Sequence, residues 1–338
     1  MSVYPIDKPL GLTSHDVVAR ARRQLGTRRV GHAGTLDPLA TGVLVVLANE
    51  ATKLSPYLTA SRKRYLAWVA FGAGTPTLDA EGPVDAVAEP AALTHLYAEK
   101  VAAAAARFTG AMLQRPPAYS AIKQRGERSY AAARRGEAEE PPARAAHYHD
   151  VQLVAFARAR ALLPDRFART PAGWRPDPTG RSFDLPPTLM ELPTALFALE
   201  VGAGTYVRSF ARDLGEALAL PAHLAGLVRT GAGNVDLANC TPLEALGSTP
   251  GLTPLAALDL PRLAVDAATA LALRQGKRAL LPVTELTVAH EADGALVALV
   301  EPRVDENAAD NGVHDAAPAA AQGTGSVRPV RVVRAWQR

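Results

Sequence analysis

The stretch Gly31-His32-Ala33-Gly34-Thr35-Leu36-Asp37-Pro38-Leu39-Ala40-Thr41-Gly42 places three glycines within a dozen positions and runs directly into an apolar segment, residues 42–48. Glycines in such a stretch allow tight backbone turns and the close approach of a ligand. No Gly-Lys-Ser/Thr follows, so the stretch is not a phosphate-binding loop of the nucleotide hydrolases. We therefore expect a glycine-rich loop at residues 30–42, followed by an apolar run.

The segments around this loop mix strands and helices. Residues 1–12 resemble a short strand entering a turn, and Thr13-Ser14-His15-Asp16 predicts a helix start with a capping box. Residues 65–71 and 197–201 have the β-branched or aromatic content of strands. A helix is expected after the turn at Gly202-Ala203-Gly204. Without a regular strand–helix–strand rhythm, the order favours an α+β fold over a doubly wound sheet.

The length of 338 residues suggests about two domains. A Ser/Thr/Pro/Gly cluster at residues 247–253 predicts the boundary, which gives domains at 1–248 and 252–338. Residues 158–188 are rich in Arg, Pro and Gly and are expected to form an irregular insertion. Residues 305–326 hold four acids and no Lys or Arg, and we expect a disordered loop that interrupts a small β domain.

Composition narrows the class of protein. Hydrophobic residues make up 48% of the chain and charged residues 21%, which is typical of a globular protein. No apolar stretch approaches the roughly 18 residues of a membrane span. The single cysteine, Cys240, excludes an internal disulfide, and Asp7-Lys8 stands where a signal peptide would be apolar. We therefore expect a cytoplasmic protein.

Positive charge is concentrated in two segments. Residues 114–135 contain six basic side chains and one acid, Glu127, and a second basic cluster covers residues 20–29. Such surfaces attract polyanions, most often nucleic acid. A merely solvated face is the alternative interpretation of the same charges.

Local sequence patterns do not decide whether each candidate residue has a reactive or a structural role. Asp37 followed by Pro38 is also the ordinary start of a helix, and His32 could be a structural histidine. Arg208 stands where a strand turns into a helix, from which it could enter a cleft or brace a loop. His147 and His149 form a loose cluster that a surface strand explains better than a metal site.

Five segments, which together span about residues 5–240, are more informative in combination than alone. They are Asp7-Lys8-Pro9-Leu10-Gly11-Leu12-Thr13-Ser14, the stretch from Val30 to Gly42, Lys63-Arg64-Tyr65, Gln114-Arg115-Pro116-Pro117-Ala118-Tyr119-Ser120-Ala121-Ile122-Lys123, and Gly204-Thr205-Tyr206-Val207-Arg208-Ser209-Phe210-Ala211-Arg212-Asp213-Leu214-Gly215. These segments occur in the order found in the TruB family of pseudouridine synthases, the bacterial tRNA pseudouridine-55 synthases, and the sequence resembles this family.

The resemblance implies the fold and the reaction. The fold would be a pseudouridine-synthase catalytic domain with a mixed, mainly antiparallel sheet and flanking helices, followed by a small PUA-like β-barrel. The reaction would convert uridine 55 in the TΨC loop of tRNA to pseudouridine by base flipping and covalent catalysis, without metal or organic cofactor. Whether the aspartate attacks the sugar C1′, attacks the base or assists a glycal route stays open.

The resemblance also implies roles for particular residues. Asp37 would be the catalytic nucleophile and Arg208 its ion-pair partner, while Tyr65 would stack on the flipped base and serve in the late removal of the C5 proton. His32 would insert near the displaced bases. The segment at about 107–150 would grip the RNA. The remaining candidate substrate-binding residues are Tyr206, Lys8, Lys123, Arg125 and Arg128.

The expected partner is the T-arm stem-loop of tRNA, bound by a monomer that needs no protein partner and no membrane. Three other functions compete with this one. The first is a noncatalytic tRNA-binding or tRNA-folding module, and the second is an H/ACA-type synthase that acts with a guide RNA. A metal hydrolase using His147 and His149 is a distant third.

Overall fold

The protein is described by a computed structural model that covers residues 2–119, 123–124, 127–128, 141–277, 279–303 and 327–336. The chain divides into two compact units, Met1–Thr253 and Pro254–Arg338. Within the described residues, no helix is both long enough and apolar enough to span a membrane. The segment 305–326, for which we expect a disordered loop, lies outside the described residues.

The first unit is built on a mixed, mainly antiparallel sheet. In chain order the described strands of this unit are β1 (Ser2–Lys8), β2 (Val30–Ala33), β3 (Ala40–Ala48), β4 (Lys63–Phe71), β5 (Ala73–Gly74), β6 (Ala86–Val87), β7 (Gly110–Gln114), β8 (Lys123–Gln124), β9 (Glu127–Arg128), β10 (Arg144–Ala157), β11 (Arg166–Thr170), β12 (Gly173–Pro176), β13 (Arg181–Ser182), β14 (Thr194–Val201), β15 (Ala222–Ala232), β16 (Val235–Asp236) and β17 (Thr241–Pro242). The main path of the sheet runs in the order β17-β1-β3-β15-β4-β14-β10-β7. Among these described strands, pairing is parallel only between β1 and β17 and between β3 and β15.

Helices flank this sheet. Every residue of β3 and of β15 is buried, as expected for strands that are covered on both faces. The described α-helices are α1 (Ser14–Gln24), α2 (Ser55–Ala60), α3 (Pro90–Thr94), α4 (Ala98–Ala105) and α5 (Val207–Ala217). Short 3-10 turns lie at Asn49–Leu54, Arg160–Leu162, Leu237–Asn239 and Leu243–Ala245.

The start of α1 confirms the predicted capping box. The Thr13 hydroxyl accepts a hydrogen bond from the backbone N–H of Asp16 at 3.0 Å, and the Asp16 carboxylate accepts one from the Thr13 N–H at 2.9 Å. These reciprocal bonds satisfy two backbone donors that would otherwise have no partner at the helix start. Val17 and Ala21 then bury one side of the helix in the core.

The segment 158–188 is not irregular, contrary to our expectation, because β11, β12 and β13 form a three-stranded antiparallel sheet there. This small sheet packs on the central sheet through Phe167, whose ring meets that of Trp68 edge-on at 5.8 Å. Phe183 stacks on Phe167 at 5.5 Å and contacts Trp174. The three aromatic residues supply a core that the Arg-, Pro- and Gly-rich composition conceals.

The second unit is a small β-rich fold. Its five-stranded sheet has the order β18-β20-β21-β22-β19 and is antiparallel except where β18 pairs with β20. Together the two units confirm the predicted α+β class. The elements of the second unit are α6 (Pro254–Ala257), β18 (Arg262–Ala264), α7 (Ala267–Arg274), β19 (Ala279–Leu281), β20 (Thr287–His290), β21 (Leu296–Pro302) and β22 (Arg328–Ala335).

The aromatic core of the small sheet can be tested with Phe167→Ala. Phe167 is fully buried, so its truncation should lower the free energy of unfolding by about 3–5 kcal/mol, measured by urea unfolding and tryptophan fluorescence. The control is Leu162→Ala, because Leu162 is 73% exposed and its loss should change stability by no more than about 0.5 kcal/mol. Equal effects of the two substitutions would contradict the packing described here.

Candidate active site

A cleft of about 280 Å³ opens between the glycine-rich loop and the start of α5. Strands β4, through Lys63 and Tyr65, and β15, through Leu227 and Arg229, contribute to its lining. The lining residues come from four regions of the sequence that the fold brings together. They are Gly34, Thr35, Leu36, Asp37, Thr59, Lys63, Tyr65, Gly202, Ala203, Gly204, Thr205, Tyr206, Val207, Arg208, Leu227 and Arg229.

Asp37 lies in a turn between β2 and β3, not at the start of a helix. Its carbonyl accepts a hydrogen bond from the Ala40 N–H at 3.1 Å, and Ala40 already belongs to strand β3. The helix-cap interpretation of Asp37-Pro38 is therefore wrong, because the chain enters a buried strand within three residues. The Asp37 side chain is 34% exposed and faces the cleft.

Arg208, in the first turn of α5, forms an ion pair with Asp37. Its Nε lies 2.9 Å from one carboxylate oxygen, and Nη2 donates to the other at 3.2 Å. The Arg208 side chain is only 7% exposed, so the pair is shielded from solvent on the arginine side. A planar guanidinium that engages both oxygens fixes the orientation of a carboxylate more tightly than an ammonium group does.

A second carboxylate, Asp79, lies on the far side of Arg208. Its Oδ2 is 3.4 Å from Arg208 Nη1, and its Oδ1 accepts hydrogen bonds from the Thr77 hydroxyl and the Glu81 N–H. Burial raises the pKa of Asp79, while Arg208 and these hydrogen bonds oppose the rise. Sequence reasoning missed Asp79, because an aspartate in a short Thr-Leu-Asp turn carries no local sign of burial.

Two tyrosines, Tyr65 and Tyr206, line the cleft from different elements. Tyr65, on β4, is half-buried and lines the cleft, as does the half-buried Tyr206 immediately before α5. Gln114 holds the backbone of Tyr206 on both sides: its Oε1 accepts from the Tyr206 N–H at 2.9 Å, and its Nε2 donates to the Tyr206 carbonyl at 3.1 Å. The motif at 114–123 is thereby joined to the motif at 204–215.

Lys8 and His32 are not among the residues that line the cleft. Lys8 is fully buried, and its ammonium group donates to the carbonyls of Leu12 at 2.6 Å and Pro38 at 3.4 Å. Burial lowers the pKa of Lys8 to about 8. Burial, assisted by the charge of Arg229, also lowers the pKa of His32.

Two further buried cations, Lys63 and Arg229, line the cleft. Lys63 donates to the carbonyls of Leu58, Thr59 and Ser61 at the end of α2. Burial, with a contribution from Arg229, lowers its pKa to about 8. Although Lys63 stands in one of the quoted motifs, sequence reasoning assigned a role to neither residue. An isolated Arg within an apolar strand gives no sign of the loop that it will contact.

The expected RNA-gripping residues are described only in part. Lys123 begins β8 and Arg128 ends β9, and these two short strands pair in an antiparallel hairpin. Arg125 lies outside the described residues. The carbonyl of Arg115 accepts hydrogen bonds from the Ser209 hydroxyl at 2.7 Å and from Arg212 at 3.0 Å, which attaches the start of this segment to α5.

His147 and His149 lie on β10 with their ring centres 4.2 Å apart. Across the described part of the chain, no group of three or more His, Cys, Asp or Glu side chains is arranged to hold a metal ion. His147 is attached instead to the cleft-lining loop, because its N–H donates to the Thr205 hydroxyl and its carbonyl accepts from the Gly202 N–H.

Comparison with known proteins places the chain in one family. Residues 22–165 match the model of the N-terminal domain of the TruB family of pseudouridylate synthases. A protein of Deinococcus deserti named tRNA pseudouridine synthase B is 53% identical over 82% of this chain and 89% of its own length. A protein of Thermus thermophilus with the same name is 45% identical over 89% of this chain and 95% of its own length.

Solved structures share the fold at lower identity. An H/ACA ribonucleoprotein bound to a substrate RNA containing 2′-deoxyuridine matches with a TM-score of 0.63 at 20% identity, covering 100% of this chain and 85% of the other. A Cbf5-Nop10-Gar1 complex matches with a TM-score of 0.62 at 22% identity, covering 99% and 84%. These two similarities concern the fold, whereas the relatives above identify the family. The chain belongs to the TruB family of pseudouridylate synthases, isomerases that convert uridine to pseudouridine.

Proposed function

We propose that this isomerase acts on uridine 55 in the TΨC loop of tRNA and that Asp37 is its nucleophile. The observation that carries the proposal is the Asp37–Arg208 ion pair at a cleft lined by the family's motifs. The relatives that bear the name tRNA pseudouridine synthase B support tRNA as the substrate. The choice of position 55 rests on the five ordered motifs of the sequence.

The reaction needs no net oxidation or reduction. The bond between uracil N1 and the sugar C1′ breaks, the base turns, and a bond forms between C5 and C1′. The proton on C5 leaves and N1 gains a proton, so the atoms balance. A uracil inside a folded RNA loop must first leave the stack and enter the enzyme, at a cost of a few kcal/mol.

In this reaction Asp37 attacks as a carboxylate, at the sugar C1′ or at the base, or assists a glycal route. Arg208 holds the carboxylate in one orientation, because its guanidinium lies against both carboxylate oxygens. Tyr65 lines the same cleft, where its ring stacks on the everted base and its hydroxyl serves in the late removal of the C5 proton. Tyr206 forms part of the opposite wall.

Other residues bind or support rather than react. His32 inserts near the displaced bases, and Lys8 supports the wall of the pocket from behind. The basic segment with Lys123, Arg125 and Arg128 grips the RNA backbone, where cations supply affinity that does not depend on sequence. The enzyme acts as a monomer in the cytoplasm, without a guide RNA, a protein partner or a cofactor.

The nucleophile can be tested with Asp37→Asn, a substitution that keeps the size of the side chain and removes its charge. Pseudouridine formation in an unmodified tRNA transcript should fall below detection by mass-based mapping. The affinity for tRNA should stay within a few-fold of the unsubstituted enzyme, because binding depends mainly on phosphate contacts elsewhere.

The same assay separates the competing functions. Wild-type activity on the transcript alone supports stand-alone catalysis, whereas activity only after a guide RNA is added would indicate the guided class. Binding without any pseudouridine would indicate a noncatalytic tRNA-folding module. A folded Asp37→Asn variant with normal turnover would exclude Asp37 as the nucleophile.

The ion pair can be tested with Arg208→Lys. Lysine keeps the charge but not the planar fork, so turnover should fall about 10²-fold while tRNA affinity changes little. Asp79→Asn, which leaves Arg208 in place but removes its second carboxylate, should lower turnover by a smaller factor. Unchanged turnover in Arg208→Lys would contradict a role for two-point contact with Asp37.

The RNA-gripping segment can be tested with Arg125→Ala and Arg128→Ala combined. Loss of two phosphate contacts should weaken tRNA binding and reduce the slope of log affinity against log salt by about 1–2. The control is Arg166→Ala, an exposed arginine on the small sheet that donates to the Gly180 carbonyl. Its salt slope should equal that of the unsubstituted enzyme. An unaltered slope in the double variant would mean that this face is merely solvated.

A further inference from the structure

We infer that Arg229 is a positioning residue, which holds the backbone of the glycine-rich loop so that Asp37 stands at the cleft. The inference rests on the role proposed above for Asp37. It concerns a residue outside the five motifs that carry the family resemblance, on strand β15 rather than on the loop itself.

Each nitrogen of the Arg229 guanidinium is directed at a different backbone carbonyl. Nε donates to Val43 at 2.6 Å, Nη1 to Thr35 at 3.3 Å and Nη2 to Gly34 at 3.0 Å. Val43 belongs to β3, whereas Gly34 and Thr35 belong to the loop. One rigid fork therefore fixes the loop against the strand that follows it.

The burial of Arg229 indicates that this residue does more than stabilise the fold. The residue is 1% exposed, and no carboxylate of the described residues forms an ion pair with it. A permanent charge that is buried without a counter-charge disfavours the folded state, and carbonyl dipoles compensate it only in part. A chain that required only stability at this site could fill it with an apolar side chain.

Two glycines of the stretch from Gly31 to Gly42 lie next to Arg229. Gly34 has φ +90°, and a Cβ added there would lie 3.5 Å from Arg229 Nη1 and 3.7 Å from Lys63 Cε. Gly42, which pairs with Arg229 across β3 and β15, has φ +92°, and a Cβ there would lie 2.4 Å from the Arg229 carbonyl oxygen. The backbone conformation favours glycine at both positions, and at Gly42 a Cβ would also clash with the backbone of Arg229.

The hold on the loop extends on both sides of Asp37. On the N-terminal side, Arg229 binds Thr35, and the Ser14 hydroxyl accepts from the Leu36 N–H at 2.8 Å. On the C-terminal side, Lys8 donates to the Pro38 carbonyl. With its neighbours held in this way, the Asp37 carboxylate meets Arg208 in one orientation. A displacement of a reacting group by about 1 Å can lower a rate by about 10².

The test compares Arg229→Ala with Arg160→Ala. Arg160 is a matched control because it is also a buried arginine, 6% exposed, and donates to a carbonyl of the same strand, that of Ala225, at 3.1 Å. It is not among the residues that line the cleft. The measurements are the rate of pseudouridine formation with saturating enzyme, the Kd for tRNA, and the midpoint of urea unfolding.

Both variants should unfold at lower urea concentration, since each loses a buried hydrogen-bonding side chain. Only Arg229→Ala should slow the chemical step, by about 10²-fold with the Kd for tRNA within a few-fold. Guanidinium ion, added below its denaturing range, should restore part of the Arg229→Ala rate, because it can occupy the vacated site. It should not accelerate the unsubstituted enzyme or Arg160→Ala.

A folded Arg229→Ala variant with the normal saturated rate would overturn the inference, as would equal loss of rate in both variants. If Arg229→Ala does not fold, Arg229→Lys decides: a rate about 10-fold lower at unchanged Kd supports the inference, and a normal rate overturns it. Asp37→Asn in the same assay separates the two proposals. Normal turnover in that variant would reject Asp37 as nucleophile whatever Arg229 does.

Discussion

The guanidinium of Arg208 lies between two carboxylates that are 42 positions apart in the sequence, Asp37 and Asp79. It also donates to the carbonyls of Thr77 and Tyr119. A buried charge is tolerated only with such partners, so the segments that supply them must come together as the chain folds. Arg208 thus links the first turn of α5, the glycine-rich loop and the turn at 75–81.

Lysine and arginine side chains perform a second structural task around the cleft, because they bind the backbone of its loops. Lys8 holds the turn after β1 and the residue that follows Asp37, while Lys63 holds the end of α2. Burial lowers the pKa of both lysines to about 8, so both remain largely protonated at neutral pH. Their charged forms are disfavoured by burial, and this unfavourable contribution to stability diminishes as the pH rises from about 8 towards the ordinary lysine value.

Three elements could be predicted from the sequence of their own segments. The capping box at Thr13, the strand at 65–71 and the helix after Gly204 all follow from side-chain type and spacing, and the structure contains each of them. The role proposed for Asp37 could not be deduced in this way, because Asp-Pro is also an ordinary helix start and only the combination of motifs favoured a reactive carboxylate. Asp79 could not be identified for a different reason, because its place in the site depends on tertiary contacts such as the one with Arg208.

The small sheet at 158–188 shows that amino-acid composition alone is a poor predictor of local structure. Its arginines and prolines suggested an irregular insertion, yet Phe167 and Trp174 both contact Phe183, and Phe167 packs on Trp68. A count of residue types cannot detect this, because the stabilising contact is made with a strand about a hundred positions earlier.

The charges around the cleft favour an anionic occupant. Among the described residues, the charged side chains that line it are the cations Lys63, Arg208 and Arg229 and the acid Asp37. A surplus of positive charge in a partly dry site attracts a phosphate backbone and stabilises a base that retains electrons when its bond to the sugar breaks. The groups that hold the loops in place therefore also create the electrostatic environment that the proposed reaction requires.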